Sequence, residues 1–467
     1  MNPVNKIPKI IQGGMGAGIS NWRLAKAVST NGGLGIVAGT ALDQILVRRL
    51  QDGDREGHMR RALEAYPFPA AARSVLEKWY QPCGNPDGVY RLLSKPSHDM
   101  PRERIETMII AAFVEVFLAR EGHEYPVGFN CLEKMQLPLV PSIFGAMLAG
   151  AHILTIGAGL PVYIPMVLDR LISLQTAVIP LHTEGKVSMN HSLAFIPDLF
   201  VPEKFRSSVK EKMKRPLFFP IISSALAGKM MTRNNAANVD GFIVENHFAG
   251  GHNAPPRKNK ETAAYGTRDE IDINAIAALG KPFWLAGGFS SPGKLSEALQ
   301  VGASGIQIGS LFAYSAQSGL DAKQKAECLT LFMKNRIKVR TDFEASPTGY
   351  PFKTVLKQGT ATDTHSRFTE QRKCDLGYLC TIVSKEDGSL SYHCPATDSN
   401  SNALCVCNGL MSAAGWPQSR NGKKEPPLLT CGDDYAAVGA IASVMQNYTV
   451  QDVLDFIHGK LQRRLSA

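Results

Sequence analysis

Short apolar runs ending in small residues recur eight times along this 467-residue chain, and amphipathic stretches of helix length separate several of them. That alternation marks parallel β/α architecture: a strand buried on both faces reads as a short apolar run, and its crossover reads as an amphipathic helix. The candidate strands are Ile10 to Met15, Leu34 to Ala38, Val127 to Cys131, Ile153 to Ile156, Leu217 to Ser223, Gly241 to Glu245, Pro282 to Ala286 and Gly305 to Ile308. Eight is the number that closes a barrel, whereas an open doubly wound sheet usually has fewer strands and a dinucleotide fingerprint near its start. The expected fold is therefore α/β, a (β/α)8 TIM barrel occupying residues 1–340.

Two spans exceed a minimal barrel. Residues 53–101 are rich in Pro, Arg and aromatics, and residues 176–216 read as β-hairpin material followed by a basic linker or helix. Structureless loops of this length are unusual, so each is expected to form a small subdomain or lid over the working face. From about Arg340 the β/α rhythm stops. Residues 341–467 read as a loop-rich extension that carries six of the nine cysteines and ends in a helix over Val450 to Arg464.

Composition excludes several classes. With 44% hydrophobic and 20% charged residues the chain is that of an ordinary globular protein, not a disordered or collagenous one. The stretch Leu137 to Leu168 is apolar, but Pro138, Pro141, Pro161, Pro165 and the glycines at 150, 157 and 159 break it into a buried helix, a strand and a second helix rather than a membrane span. The net charge of +10 comes from scattered basic residues, including short runs at Lys210 to Arg215 and Arg463-Arg464, with no nucleic-acid module among them. A basic surface of this kind suits an acidic substrate or carrier protein better than nucleic acid, and a plain solvated surface accounts for it best. Met1 to Ile10 lacks a signal-peptide core, and nine cysteines in such a chain suggest reduced thiols or metal ligands in a cytoplasmic protein.

Three segments carry chemistry. Gln12-Gly13-Gly14-Met15-Gly16 ends the first strand, where glycines let the backbone approach a flat ligand or simply turn into the helix expected near Asn21. Phe248 to Arg257 follows the sixth strand; Gly250 and Gly251 expose backbone N–H groups, and His252 comes next. A histidine beside a ligand-binding turn suits proton abstraction from a carbon acid, or donation to a developing anion. Ala286-Gly287-Gly288 after strand seven, with Gly302 to Ser310 around strand eight, falls where such barrels commonly bind the phosphate of a mononucleotide; the alternative is that these glycines only permit close helix–strand packing.

Taken in order, these segments together with Gly128-Phe129-Asn130 resemble the nitronate monooxygenase (2-nitropropane dioxygenase) family, which is related to the flavin-type enoyl-acyl-carrier-protein reductases. The resemblance spans roughly Ile7 to Phe312 and implies an FMN-dependent oxidoreductase. It implies that Gly13, Gly14 and Met15 line the flavin, Asn130 bonds its polar edge, Gly250 and Gly251 face the ring or ribityl chain, and Gly287, Gly288, Gly309 and Ser310 hold the phosphate. His252 matches the catalytic base, and Gln307 is a barrel-facing neighbour of the cradle. The sequence departs from the family at Glu245-Asn246-His247-Phe248, where His247 competes for the base role. The implied reaction is oxidation of alkyl nitronates by O2 to a carbonyl compound and nitrite. Reduction of an enoyl thioester by NAD(P)H, with acyl carrier protein as partner, is the alternative enzyme; a low-turnover flavin-binding partner protein is the alternative of another class.

The tail is weighed separately. Cys374, Cys380, Cys394, Cys405, Cys407 and Cys431 lie close in sequence, and four thiolates can bind structural zinc or an iron–sulfur cluster. Cys374, Cys394, Cys405 and Cys407 are the expected ligands, against buried inert thiols as the other reading.

Overall fold

A computed structural model describes residues 7–185, 191–233, 238–257, 264–363 and 372–461. Eight parallel strands form one sheet: β1 (Ile10–Gln12), β2 (Gly35–Ala38), β3 (Val127–Leu132), β4 (Ile153–Gly157), β5 (Leu217–Ile222), β6 (Phe242–Glu245), β7 (Phe283–Ala286) and β8 (Gly305–Ile308). Each of β2 to β8 pairs with its neighbours in sequence, and β8 pairs with β1. A parallel bridge between Ile11 and Leu34 closes the remaining seam, with the Leu34 N–H donating to Ile10 and the Gln12 N–H to Leu34, both at 2.9 Å. The expected (β/α)8 barrel is present, and all eight strands lie at their expected positions.

Strand parity decides what faces the barrel axis, because successive side chains alternate between the two faces. Ile11, Leu34, Ile36, Ile153, Phe219, Ile243 and Trp284 fill the interior, with Phe219 stacked on Trp284 at 5.1 Å between ring centroids. Ile10, Val37, Phe129, Leu154, Phe218, Phe242, Phe283 and Ile306 point outward into the apolar shell shared with the helices. Two residues beyond Gly128, Phe219 and Ile243, the same parity aims Asn130, Ile221 and Glu245 at the space above the core. Helices pack closely outside: a Cβ at Gly145, in the helix Gln136–Leu148, would fall 2.0 Å from the Ile109 carbonyl in the helix Arg102–Arg120, so only glycine permits this crossing.

Both extra spans fold. The first holds two helices, His58–Glu64 and Pro69–Trp79, before the long helix Arg102–Arg120. The second holds an antiparallel hairpin, Ala177–Pro180 with Ser192–Phe195, then the helix Arg206–Lys212. The apolar stretch after residue 136 resolves into the helix Gln136–Leu148, strand β4 and the helix Ile164–Ile172; among the described residues, no helix is long and apolar enough to cross a membrane.

Beyond the barrel, the hairpin Lys338–Asp342 with Phe352–Leu356 is followed by a second, Thr381–Ser384 with Leu390–His393, and by helices Val406–Ala413 and Ala436–Val444. The last helix expected over Val450 to Arg464 is shorter: it runs Val450–Ile457, capped by Thr449 and Asp452, and the chain turns at His458 and at Gly459, whose φ is +66°. Residues 462–464 of that expectation, including the Arg463-Arg464 pair, lie outside the described residues. The extension docks on the barrel through polar anchors as well as apolar packing. The Tyr448 hydroxyl donates to the Leu311 carbonyl at 2.9 Å, Arg48 Nη1 donates to the Trp416 carbonyl at 2.6 Å, and the Tyr378 hydroxyl donates to Asp43.

Candidate active site

The inward positions at the C-terminal ends of the strands surround a cavity of about 230 Å³. It is lined by Gly13, Gly14 and Met15 after β1, Asn130 on β3, Glu245 on β6, Gly250, Gly251 and His252 after β6, Gly287 and Gly288 after β7, and Gly309 and Ser310 after β8. Every residue expected to touch a cofactor, and the expected base, thus borders one space at the face where such barrels work.

The glycines there serve two purposes. A Cβ on Gly14 would fall 2.3 Å from Asn130 Cβ, and one on Gly287 would fall 2.2 Å from Asn246 Oδ1, so these two are glycine because protein packs against them. Asn246 Nδ2 donates to the Gly287 carbonyl at 2.9 Å, which holds the turns after β6 and β7 together. At Gly309 the nearest atom to such a Cβ is Met15 Sδ at 3.6 Å, leaving the cavity side open for a ligand to approach the backbone. Asn130 spends its amide on Thr155 Oγ1 at 2.9 Å, which fixes the cavity-facing side chain.

The extension builds part of this site, which the sequence analysis did not foresee. The loop carrying His252 is laid against the strand Phe352–Leu356: His252 bridges Phe352, the Lys353 N–H donates to Gly251, and the Asn253 N–H donates to Pro351, both at 2.9 Å. From the other side, the Gly251 N–H donates to Thr430 Oγ1 at 2.8 Å, and the Gly432 N–H donates to Ser310 Oγ at 2.9 Å. Tyr378, Leu379, Cys407 and Leu410 complete the wall.

His252 Nε2 lies 2.7 Å from Ser346 Oγ, which in turn lies 2.8 Å from Thr348 Oγ1, so the imidazole is oriented by a hydroxyl pair. Its ring edge meets Phe352 at 4.7 Å. Burial lowers the His252 pKa to about 4, so the ring is neutral at neutral pH. In the same cavity, burial raises the Glu245 pKa to about 8, so this carboxyl stays protonated at neutral pH and can donate a hydrogen bond. Glu245 was not singled out from the sequence. Its signal was parity, two residues after the inward Ile243. His247 lies apart from the cavity lining; it stacks on Tyr265 at 4.5 Å and touches Phe248 at 4.2 Å. Of the two histidines weighed for the base role, His252 is the one that lines the cavity.

The expected metal ligands are not gathered as predicted. Cys374 and Cys394 come together, but their companion is Cys380, with the three sulfurs within 4.8 Å of one another. Cys405 accepts instead from Asn408 Nδ2 at 3.6 Å, and Cys407 faces the cavity. The reason is topological: Cys380 and Cys394 extend the register that pairs Thr381 with His393 across the second hairpin, whereas Cys405 and Cys407 open a helix.

The nitronate monooxygenase family profile matches residues 201–360, a span that holds β5 to β8, His252, Glu245 and Ser346. A comparison with curated protein sequences finds no match. Among solved structures, FabK from Thermotoga maritima is 15% identical, with 98% of this chain and 94% of that one covered and a TM-score of 0.49. A nitroalkane oxidase from Streptomyces ansochromogenes is 14% identical, with 98% and 97% covered and a TM-score of 0.47. The similarity of this chain to the nitronate monooxygenase family is thus carried by residues 201–360.

Proposed function

We propose that this protein binds FMN in the strand-end cavity and oxidises alkyl nitronates with O2, giving a carbonyl compound and nitrite. The observation that carries the reading is the placement of a neutral, hydroxyl-anchored His252, itself inside the span that matches the family, in the same cavity as the glycines that follow β1, β7 and β8. FMN fits the residues present. Gly13, Gly14 and Met15 border its ring, Asn130 its polar edge, Gly250 and Gly251 the ring or ribityl chain, and Gly287, Gly288, Gly309 and Ser310 its phosphate. When bound, the flavin supplies the electron acceptor that the side chains of this cavity lack.

The chain's own residues supply placement and charge. Nδ1 of His252 is the nitrogen left to meet substrate, because Nε2 is held by Ser346. A neutral imidazole can take the acidic proton beside a nitro group, and once protonated it stabilises the anion. Protonated Glu245 donates to substrate oxygen without repelling a nitronate. The walls Tyr378, Leu379 and Phe352 limit water around these groups.

The purified protein should be yellow, and its flavin should bleach anaerobically with propyl nitronate, with nitrite released once air is admitted. Bleaching by NADH or NADPH alone would replace this reading with enoyl-thioester reduction, where the basic surface would meet an acyl carrier protein. The phosphate cradle has its own test. Gly309→Ala adds a methyl group that folding tolerates, since its nearest neighbour is 3.6 Å away at an ordinary φ of −106°. We expect FMN affinity to fall about tenfold, roughly 1.4 kcal/mol, with the melting temperature of the FMN-free protein unchanged. Equal FMN affinity in a flavin titration would place the phosphate elsewhere.

The two titrating groups set the pH profile. With preformed nitronate, kcat/KM should stay flat between the His252 value near 4 and the Glu245 value near 8. Above that, the ionised carboxylate repels the anionic substrate, and kcat/KM should fall about tenfold per pH unit. Glu245→Gln cannot ionise and should abolish the alkaline limb while keeping the plateau; a variant that retains the limb would assign it to another group.

A further inference from the structure

Cys374, Cys380 and Cys394 converge behind the cavity wall although they come from three separate points of the chain. The first precedes the loop Leu376 to Leu379, the second follows it, and the third stands opposite Cys380 across the hairpin Thr381–Ser384 with Leu390–His393. Cys374 Sγ and Cys380 Sγ are 3.7 Å apart, and all three sulfurs lie within 4.8 Å of one another. A disulfide needs about 2.05 Å. Two thiolates on one zinc ion, each at about 2.3 Å in tetrahedral geometry, stand about 3.8 Å apart.

We propose that Cys374, Cys380 and Cys394 form a thiolate site for zinc that clamps the cavity wall of the extension. The clamp has a clear object. Cys374 and Cys380 bracket the turn that supplies Tyr378 and Leu379 to the cavity, and Gly377 in that turn has a φ of +72°. Binding ties both ends of this turn to the hairpin, so the wall is held by three bonds in place of weak S–H contacts. The chemistry involves no electron transfer: the hydrated ion gives up water ligands, and each thiol bound as thiolate yields its proton to solvent.

The Lys95 side chain packs against Gly377, its Cβ position only 3.0 Å from Lys95 Cβ, and brings a compensating positive charge to a site that three thiolates make net negative. Cys407 stands on the cavity side within electrostatic reach of Cys374 and Cys394, which sets the site one side chain behind the wall.

The test is metal content of the full-length, flavin-loaded protein, purified without chelators or a histidine tag from zinc-supplemented medium. About one equivalent of zinc per chain is expected. Cys380→Ser should reduce it to background, whereas Cys83→Ser, at an exposed cysteine outside the trio, should leave it unchanged. Less than a tenth of an equivalent in the wild type, with the three thiols confirmed as reduced by mass spectrometry and no uptake of added zinc, would overturn the proposal. So would a Cys374–Cys380 disulfide in freshly isolated protein, or iron with acid-labile sulfide in place of zinc. The wild-type measurement stands even if a variant fails to fold, and it is independent of flavin content and nitronate turnover.

Discussion

His252→Ala is expected to lower kcat/KM for oxidation of the neutral nitroalkane at least a hundredfold while FMN remains bound at wild-type stoichiometry. The size follows from the role: removing a positioned acid–base group from a buried site typically forfeits two to four orders of magnitude, or about 3–5 kcal/mol of transition-state stabilisation. Flavin retention follows from position. The proposed cofactor cradle is backbone and strand ends, whereas the imidazole is anchored by Ser346 and Phe352 of the extension. Ser346→Ala should then give a smaller loss, about tenfold, because the ring keeps its place but loses the hydroxyl that orients it. Steady-state kinetics with parallel flavin absorbance separates these outcomes, and His252→Ala retaining more than a tenth of wild-type activity would remove the histidine from the chemistry. The depressed His252 pKa also carries a stability consequence. The unfolded ring takes up its proton near 6.5 and the folded ring only near 4, so the contribution is fully present above 6.5 and is lost as pH falls through that window.

The barrel was legible because burial on both faces leaves a short apolar run for every strand, from Ile10 to Ile308, whatever packs around it. The cavity's glycines and His252 were legible because they follow those runs directly. Glu245 escaped notice because it ends a run and looks like punctuation; counting two residues from the inward Ile243 shows that it faces the axis. Cys380 was missed for a related reason. Spacing along the chain cannot show which cysteines meet across a hairpin, but Asp387-Gly388 between two alternating runs is a turn signal, and it places Cys380 opposite Cys394. The contribution of Tyr378, Thr430 and Gly432 to the site had no local signal. It depends on contacts between segments more than a hundred residues apart, such as Gly432 on Ser310.

The extension's hold on the barrel should depend strongly on one buried charge pair. Arg104 Nη1 lies 2.5 Å from Asp43 Oδ2, with the two side chains only 3% and 5% exposed, and the Tyr378 hydroxyl donates to the same carboxylate. Burial opposes the Arg104 charge, but Asp43 and Tyr378 outweigh it and raise the guanidinium pKa above its ordinary value. Arg104→Met keeps most of the side-chain volume but leaves Asp43 buried without its cation, and breaking such a pair costs about 3–5 kcal/mol. Urea unfolding should show that loss. Because Tyr378 and Leu379 line the cavity, the same variant should also raise KM for the nitronate as the wall loosens. Adding Asp43→Leu should recover much of the stability, since removing both charges spares the desolvation that a lone carboxylate suffers. A single variant that costs less than about 1 kcal/mol would mean that water or another cation reaches Asp43, and that apolar packing around Phe352, Leu428 and Tyr448 holds the extension without help from this pair.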